Sequence, residues 1–398
     1  MVLFKNITVV TMDDEAGVIE NGFVATKGGR IEYVGTEEPA GQFETVIDGR
    51  GKVLMPGLIN THSHLAMTLL RGYADDMNLQ DWLYNKIFPF EDKLTAEDII
   101  EGSKIGIDEM LAGGTTCFSD MYFFQAETGR VAAEKGIRAA LSDCVNFDGY
   151  DRKVKLMEAM AEEFKDNDLI SFTFSPHAIY TCTFELLKKC GEYAKSHNMP
   201  IHTHLAETQK EFDDCMAEHG MTPTEYMEST GLFENPTIAA HCVAMTDRDL
   251  EILKKHNVSV AHNPISNLKL ASGVAAVPKM LEMGINVALG TDGASSNNSL
   301  DMFEEMKTAA LIHKGVSLDP TVVDAYTVLK MATVNGARAL GFKDLGAIKQ
   351  GFLADMIILD FNTPHLMPLH NVLSSLVYSA KCSDVEYTMV NGKIVYKR

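Results

Sequence analysis

The chain has no apolar run approaching the roughly 20 residues of a membrane-spanning helix. Its opening Met1-Val2-Leu3-Phe4-Lys5 lacks the basic start, apolar centre and small-residue cleavage site of a secretory leader. No membrane association and a cytoplasmic location are therefore expected. Basic residues are in short supply: 35 Lys and Arg stand against 55 Asp and Glu, a net charge of −20. That argues against nucleic acid or an anionic lipid surface as partner. Cysteine is scarce, odd in number at seven, and never spaced Cys-x-x-Cys. The cysteines read as reduced and mostly buried, not as a disulfide framework. No Gly-rich phosphate turn is found, which weighs against a doubly wound sheet.

What is present is an ordinary soluble composition over 398 residues, 46% apolar and 23% charged, with four polar clusters of unusual kind. The first is Pro56-Gly57-Leu58-Ile59-Asn60-Thr61-His62-Ser63-His64. Two histidines two apart on an extended segment point to one face and can share a metal ion. The others are His202-Thr203-His204-Leu205-Ala206-Glu207, Ala239-Ala240-His241-Cys242 and Gly290-Thr291-Asp292-Gly293. Each ends an apolar, β-like segment. Satisfied core histidines would explain one such cluster more readily than four.

Both ends of the chain read as short strands separated by turn signals, as in Lys27-Gly28-Gly29 and Asn391-Gly392. A small β-sandwich domain composed of residues 1–54 and 344–398 is expected. Residues 55–343 alternate strand and helix. The eight strand candidates are Leu54–Ile59, Thr115–Ser119, Arg138–Val145, Ser171–Ser175, Pro200–His204, Thr237–His241, Ser259–His262 and Asn286–Thr291. The pattern predicts an α/β fold, a (β/α)8 TIM-type barrel. In such a barrel catalytic groups gather where the strands end, and His62, His64, His177, His204, His241 and Asp292 all stand there. Residues 120–150, rich in aromatics, are a candidate lid or subunit contact.

Imidazole nitrogen and carboxylate oxygen suit zinc and similar ions. His62, His64, His204 and Asp292 supply three of the first and one of the second. His241 either joins them or orients and deprotonates water, and the second role is favoured because four ligands are already at hand. The fourth strand ends Ser175-Pro176-His177 without a lysine that could bridge a second ion. One divalent ion is expected, zinc first, with iron or manganese also compatible with such a donor set. Glu207, three residues beyond His204, is placed to protonate an aromatic amine substrate.

These residues resemble the amidohydrolase superfamily, and within it the S-adenosylhomocysteine/5′-methylthioadenosine deaminase group, which includes 5′-deoxyadenosine deaminases. The likeness runs over essentially the whole chain. Besides the clusters above it includes Asp81-Trp82-Leu83, Phe88-Pro89-Phe90-Glu91-Asp92, Ser175-Pro176-His177, Glu207-Thr208 and His262-Asn263-Pro264. The resemblance implies a metal held by His62, His64, His204 and Asp292, proton shuttling to a purine by Glu207, and handling of the attacking water by His241 and Asp292. It implies substrate contacts from Glu91, His177 and Trp82, and from Ser296 lining the site. It also implies that Arg152 meets the amino-acid tail of a nucleoside substrate. At the end of the third strand, where relatives carry a second arginine, this chain has Asp143-Cys144. An acid there is expected to disfavour a carboxylate tail, shifting weight from S-adenosylhomocysteine to methylthioadenosine, 5′-deoxyadenosine and adenosine. The rivals are a deaminase or chlorohydrolase of guanine, pterin, cytosine or triazine, and a non-catalytic nucleoside binder. The sequence leaves the oligomeric state open, although barrels with a flanking β domain often form homo-oligomers.

Overall fold

The computed structural model describes residues 1–147 and 149–398. Eight parallel strands form a barrel: Leu58–Ser63, Thr115–Tyr122, Arg138–Val145, Ile170–Phe172 continued by Ser175–Pro176, Ile201–Leu205, Thr237–His241, Ser259–His262 and Val287–Leu289. We number these barrel strands 1 to 8. Strands 1–4 and 5–8 form two hydrogen-bonded ladders. Two seams close the ring. Phe174 bridges Ile201, its N–H donating to the Pro200 carbonyl at 2.8 Å. On the other side the Asp292 N–H donates to the His62 carbonyl at 2.9 Å, and the Thr61 hydroxyl to the Leu289 carbonyl at 2.8 Å.

The strands are apolar on both faces because both faces are covered. Inside, Ile59, Cys117, Ala140, Ile238, Ala240, Ala261 and Ala288 share one packed cluster. Outside, the strands meet helices such as Ala96–Ala112, Phe184–His197 and Met302–Ser317. Among the described residues no helix is long and apolar enough to cross a membrane.

Strands from the two chain ends join in one eight-stranded sheet. Val2–Val10, Val18–Lys27, Arg30–Gly35, Thr45–Asp48 and Lys52–Pro56 pair onward to Met356–Asp360, Val385–Val390 and Lys393–Lys397. Its core holds Phe4, Ile7, Val24, Leu54, Ile358 and Met389.

The structure departs from the expected elements in three places. The strand expected over Leu54–Ile59 is two strands. Lys52–Pro56 pairs antiparallel with Met356–Asp360, and Leu58–Ser63 enters the barrel. Gly57 makes the crossing, where a Cβ would lie 2.1 Å from Thr116 Oγ1, a distance no side chain tolerates. Strand 4 is interrupted after Phe172, where Thr173 turns its N–H to the Leu141 carbonyl. The described part of residues 120–150, expected as a lid or subunit contact, consists largely of regular barrel elements: the end of strand 2, the helix Gln125–Lys135 and strand 3. The roof over the barrel mouth is instead the long connection after strand 1, with short helical turns at Leu65–Leu70, Leu79–Trp82, Leu83–Ile87 and Phe88–Glu91.

Candidate metal centre and active site

Strand ends 1, 5, 6 and 8 carry His62 and His64, His204, His241 and Asp292 to one point. His64 Nε2 is 3.2 Å from His204 Nε2. Asp292 Oδ1 is 3.4 Å from His62 Nε2 and 3.3 Å from His64 Nε2. Each ring is held from behind through Nδ1. His64 Nδ1 donates to the Met121 carbonyl at 2.5 Å, and His204 Nδ1 to the His177 carbonyl at 2.9 Å. His62 Nδ1 lies 2.8 Å from His202 Nε2, and His202 Nδ1 lies 3.2 Å from the Ser119 hydroxyl. A chain in which His62 donates to His202, and His202 to Ser119, satisfies all three. All three Nε2 atoms are then bare lone pairs aimed at one another and at a carboxylate. His62 Nε2 is fully buried and has no hydrogen-bond partner among the described residues.

Bare acceptors do not converge without a cation. Two ligands on a tetrahedral ion, each about 2.0–2.1 Å away, sit about 3.3–3.4 Å apart. The 3.2–3.4 Å separations here match that edge length. The residues present therefore fit a divalent ion. Their protonation agrees. Burial lowers His62 to about 4, against the opposing pull of Asp292. Burial also holds His204 and His202 well below the usual imidazole range. Burial would raise Asp292, but the surrounding His62, His241 and His64 keep it well below the ordinary carboxylate value. Neutral imidazoles and an ionised carboxylate are the forms that bind metal.

Asp292 is tethered on its far side, where Oδ2 accepts from Ser266 at 2.6 Å and from Ser296 at 3.1 Å. His241 faces the same cavity. Its Nδ1 is held by Asn267 Oδ1 at 2.8 Å. Its Nε2 is 3.8 Å from Glu207 Oε2 and 4.0 Å from Asp292 Oδ2. It also lies close enough to His62 and His204 to form a second candidate ligand triad with them. Glu207 is buried, and burial raises its pKa against the lowering charge of His241. A carboxyl whose protonated form is favoured by burial in this way can donate a proton.

A pocket lies above these groups. Its wall includes Trp82, Glu91, His177 and Ser296 together with His64, His204, Glu207, His241 and Asp292. His177 is half-buried and neutral, its pKa lowered by desolvation to about 3. Its Nδ1 meets the Thr181 hydroxyl at 2.8 Å. Glu91 hangs from the roof beside Tyr122. Burial raises its pKa, and its Oε1 has no partner among the described residues.

Two residues stand apart from this pocket. Arg152 does not line this pocket. It lines an outer groove that shares Phe88, Glu91, Phe123 and Asn146 with it. Asp143 is not a bare acid facing a substrate tail. It is buried, with Oδ1 2.7 Å from Lys153 Nζ and Oδ2 accepting the Gln125 N–H at 3.0 Å. The lysine cancels its charge and is itself tied down by it.

Comparison with known proteins agrees with this geometry. The family model described as "Amidohydrolase family" matches residues 53–395. The 5-methylthioadenosine/S-adenosylhomocysteine deaminase of Acetivibrio thermocellus is 45% identical, over 99% of this chain and 93% of its own. The 5′-deoxyadenosine deaminase of Methanosarcina mazei is 47% identical, over 99% and 92%. A zinc-bound adenosine deaminase from Xanthomonas campestris superposes with a TM-score of 0.94 at 36% identity, covering 99% of this chain and 92% of that one. With a family match across the barrel and relatives similar from end to end, this chain belongs to the amidohydrolase family.

Proposed function

We propose that this protein hydrolytically deaminates 5′-substituted adenosines to the inosine analogues, releasing ammonia. The observation that carries the reading is the pairing of a metal-type centre with a buried, protonatable Glu207 in one pocket. The similarity to deaminases named for methylthioadenosine, S-adenosylhomocysteine and 5′-deoxyadenosine supports it. His62, His64, His204 and Asp292 would hold one divalent ion, zinc for preference. When bound, such an ion supplies Lewis acidity and lowers the pKa of water to about 7.

The residues then divide the proton work. Glu207 donates to the purine ring nitrogen next to C6, making that carbon electrophilic. Asp292 accepts the proton lost by the attacking water, and His241, fixed by Asn267, stabilises that transfer. The water oxygen bonds to C6; as the C6–N bond breaks, Asp292 passes its proton to the leaving nitrogen and the C6 hydroxyl proton returns to Glu207, so that water is consumed and ammonia released. The unpartnered Glu91 oxygen accepts from ribose hydroxyls, and His177 offers Nε2 to the base. Trp82 closes the pocket wall and Ser296 steadies Asp292. The 5′ substituent points into the outer groove toward Arg152.

The groove is lined by five acids, Glu91, Asp92, Glu127, Asp143 and Glu163, against three bases, Arg130, Arg152 and Lys153. It therefore suits uncharged tails better than a carboxylate. Methylthioadenosine and 5′-deoxyadenosine are expected to outrank S-adenosylhomocysteine.

The test is ammonia release and loss of adenine absorbance with zinc-loaded protein on adenosine, 5′-deoxyadenosine, methylthioadenosine and S-adenosylhomocysteine. Turnover is expected, and Glu207→Gln should lower kcat by on the order of 10²- to 10⁴-fold. Inactivity of zinc-loaded protein on all four nucleosides would overturn the reading. Full activity of Glu207→Gln would overturn the shuttle.

A further inference from the structure

Four helices begin on a threonine with an acid three residues on, the pattern of a capping box. In three of them the acid reaches back to the threonine N–H. Thr95 donates to Asp98 at 2.9 Å, Thr222 to Glu225 at 3.1 Å and Thr246 to Asp249 at 2.7 Å. The fourth, the helix Gln209–His219 capped by Thr208, is different. Thr208 still accepts from the Glu211 N–H at 3.1 Å. The Glu211 carboxylate turns away and takes two other donors: Oε1 accepts the Ala206 N–H at 3.1 Å and Oε2 the Glu207 N–H at 2.8 Å.

Those two peptides carry the proposed proton shuttle. Ala206 has φ +49°, a left-handed conformation uncommon for a residue with a Cβ. Its carbonyl is held from the other side by the N–H groups of Val243 and Ala244, at 3.0 and 2.9 Å, just past His241. The turn is thus clamped between Glu211 and the end of strand 6. Glu211 is buried, does not line the pocket, and has its pKa raised by burial to about 7 against the pull of its two donors. A helix cap at the surface would not carry that desolvation cost.

We propose that Glu211 is a positioning residue for the deamination. Its carboxylate fixes the backbone from which Glu207 projects, and with it the aim of the Glu207 carboxyl at the substrate ring and its spacing from His241. This rests on the reading of Glu207 as proton shuttle.

A double-mutant cycle tests it. Glu211→Gln and Glu211→Met are made alone and on the Glu207→Gln background, with zinc content and thermal midpoint measured for each. On 5′-deoxyadenosine, each single variant should lower kcat by on the order of 10- to 100-fold, with KM within about threefold because substrate contacts are untouched. On the Glu207→Gln background the same replacement should lower the remaining rate by less than about twofold, since a residue that acts through Glu207 has nothing left to aim. Unchanged kcat in both single variants would overturn the proposal. So would a loss repeated in full on the Glu207→Gln background, or loss of fold or zinc in both variants, each of which marks Glu211 as general scaffolding. Full activity of Glu207→Gln itself refutes the shuttle reading instead, independently of any Glu211 variant.

Discussion

His202 never touches the pocket, yet it decides which nitrogen of His62 is bare. Its Nε2, 2.8 Å from His62 Nδ1, can accept the hydrogen bond of an Nδ1–H on that ring, the tautomer that leaves His62 Nε2 as a lone pair toward the metal centre. A leucine at this position removes the acceptor and frees the ring to turn or change tautomer. His202→Leu is expected to weaken zinc binding by about 10- to 100-fold, read by competition with a chromogenic chelator. Unchanged affinity would show that packing alone orients His62. The histidine and aspartate clusters were legible in the sequence because strands that end on one barrel rim bring their last residues together, whatever lies between. His202 was legible only as one half of His202-Thr203-His204. Alternation places both rings on the same face, and spacing alone does not tell which reaches the metal centre and which backs it. Asn267 behind His241, and Ser266 behind Asp292, gave no signal at all. Their roles exist only through partners 26 residues away.

The rim of the barrel is built from strand ends bent out of extended geometry. Ala206, His241 and Asp292 follow or end strands 5, 6 and 8 with φ of +49°, +73° and +64°. Such conformations persist only where the surroundings impose them. Sequence patterns find strands but not these bends, so the motifs were placed correctly in the chain while the turn at Ala206 was not foreseen. The same holds where strand 3 faces the helix Tyr150–Glu163. Sequence spacing put Asp143 at the strand end but could not supply Lys153, ten residues on, as its buried partner. That pair lines the outer groove. Asp143→Asn removes the charge that ties Lys153 down and leaves a cation where a substrate carboxylate can reach it. The ratio of kcat/KM for S-adenosylhomocysteine over 5′-deoxyadenosine should rise about tenfold, the worth of one charge-assisted hydrogen bond. Taking the ratio on one preparation cancels any loss of folded protein. An unchanged ratio would mean that Lys153 stays out of the substrate's reach.

The whole molecule separates chemistry from anchorage by the direction of its barrel strands. The metal-type centre lies at their C-terminal ends. The sheet made from both chain ends is pinned near their N-terminal ends, where Arg138, the first residue of strand 3, meets Asp355 through Nε at 2.9 Å and Nη2 at 3.3 Å. Both side chains are buried. The Arg138 Nη1 also donates to the Asp168 carbonyl at 2.9 Å, and Asp355 Oδ1 accepts the Asn391 N–H at 2.7 Å. One pair therefore ties strand 3, the approach to strand 4 and the last hairpin of the chain. Removing one member leaves a buried charge without its partner, at a cost of about 3–5 kcal/mol. Asp355→Asn is expected to lower the thermal midpoint and the urea midpoint clearly. The kcat of the protein that remains folded and zinc-loaded should change by less than about twofold, because stability and catalysis occupy opposite faces of such a barrel. A large fall in kcat at full zinc occupancy would contradict that division. It would mean that the pinning of strand 3 at its first residue sets the position of Asn146, just beyond its last, and through it the shape of the pocket where it meets the outer groove.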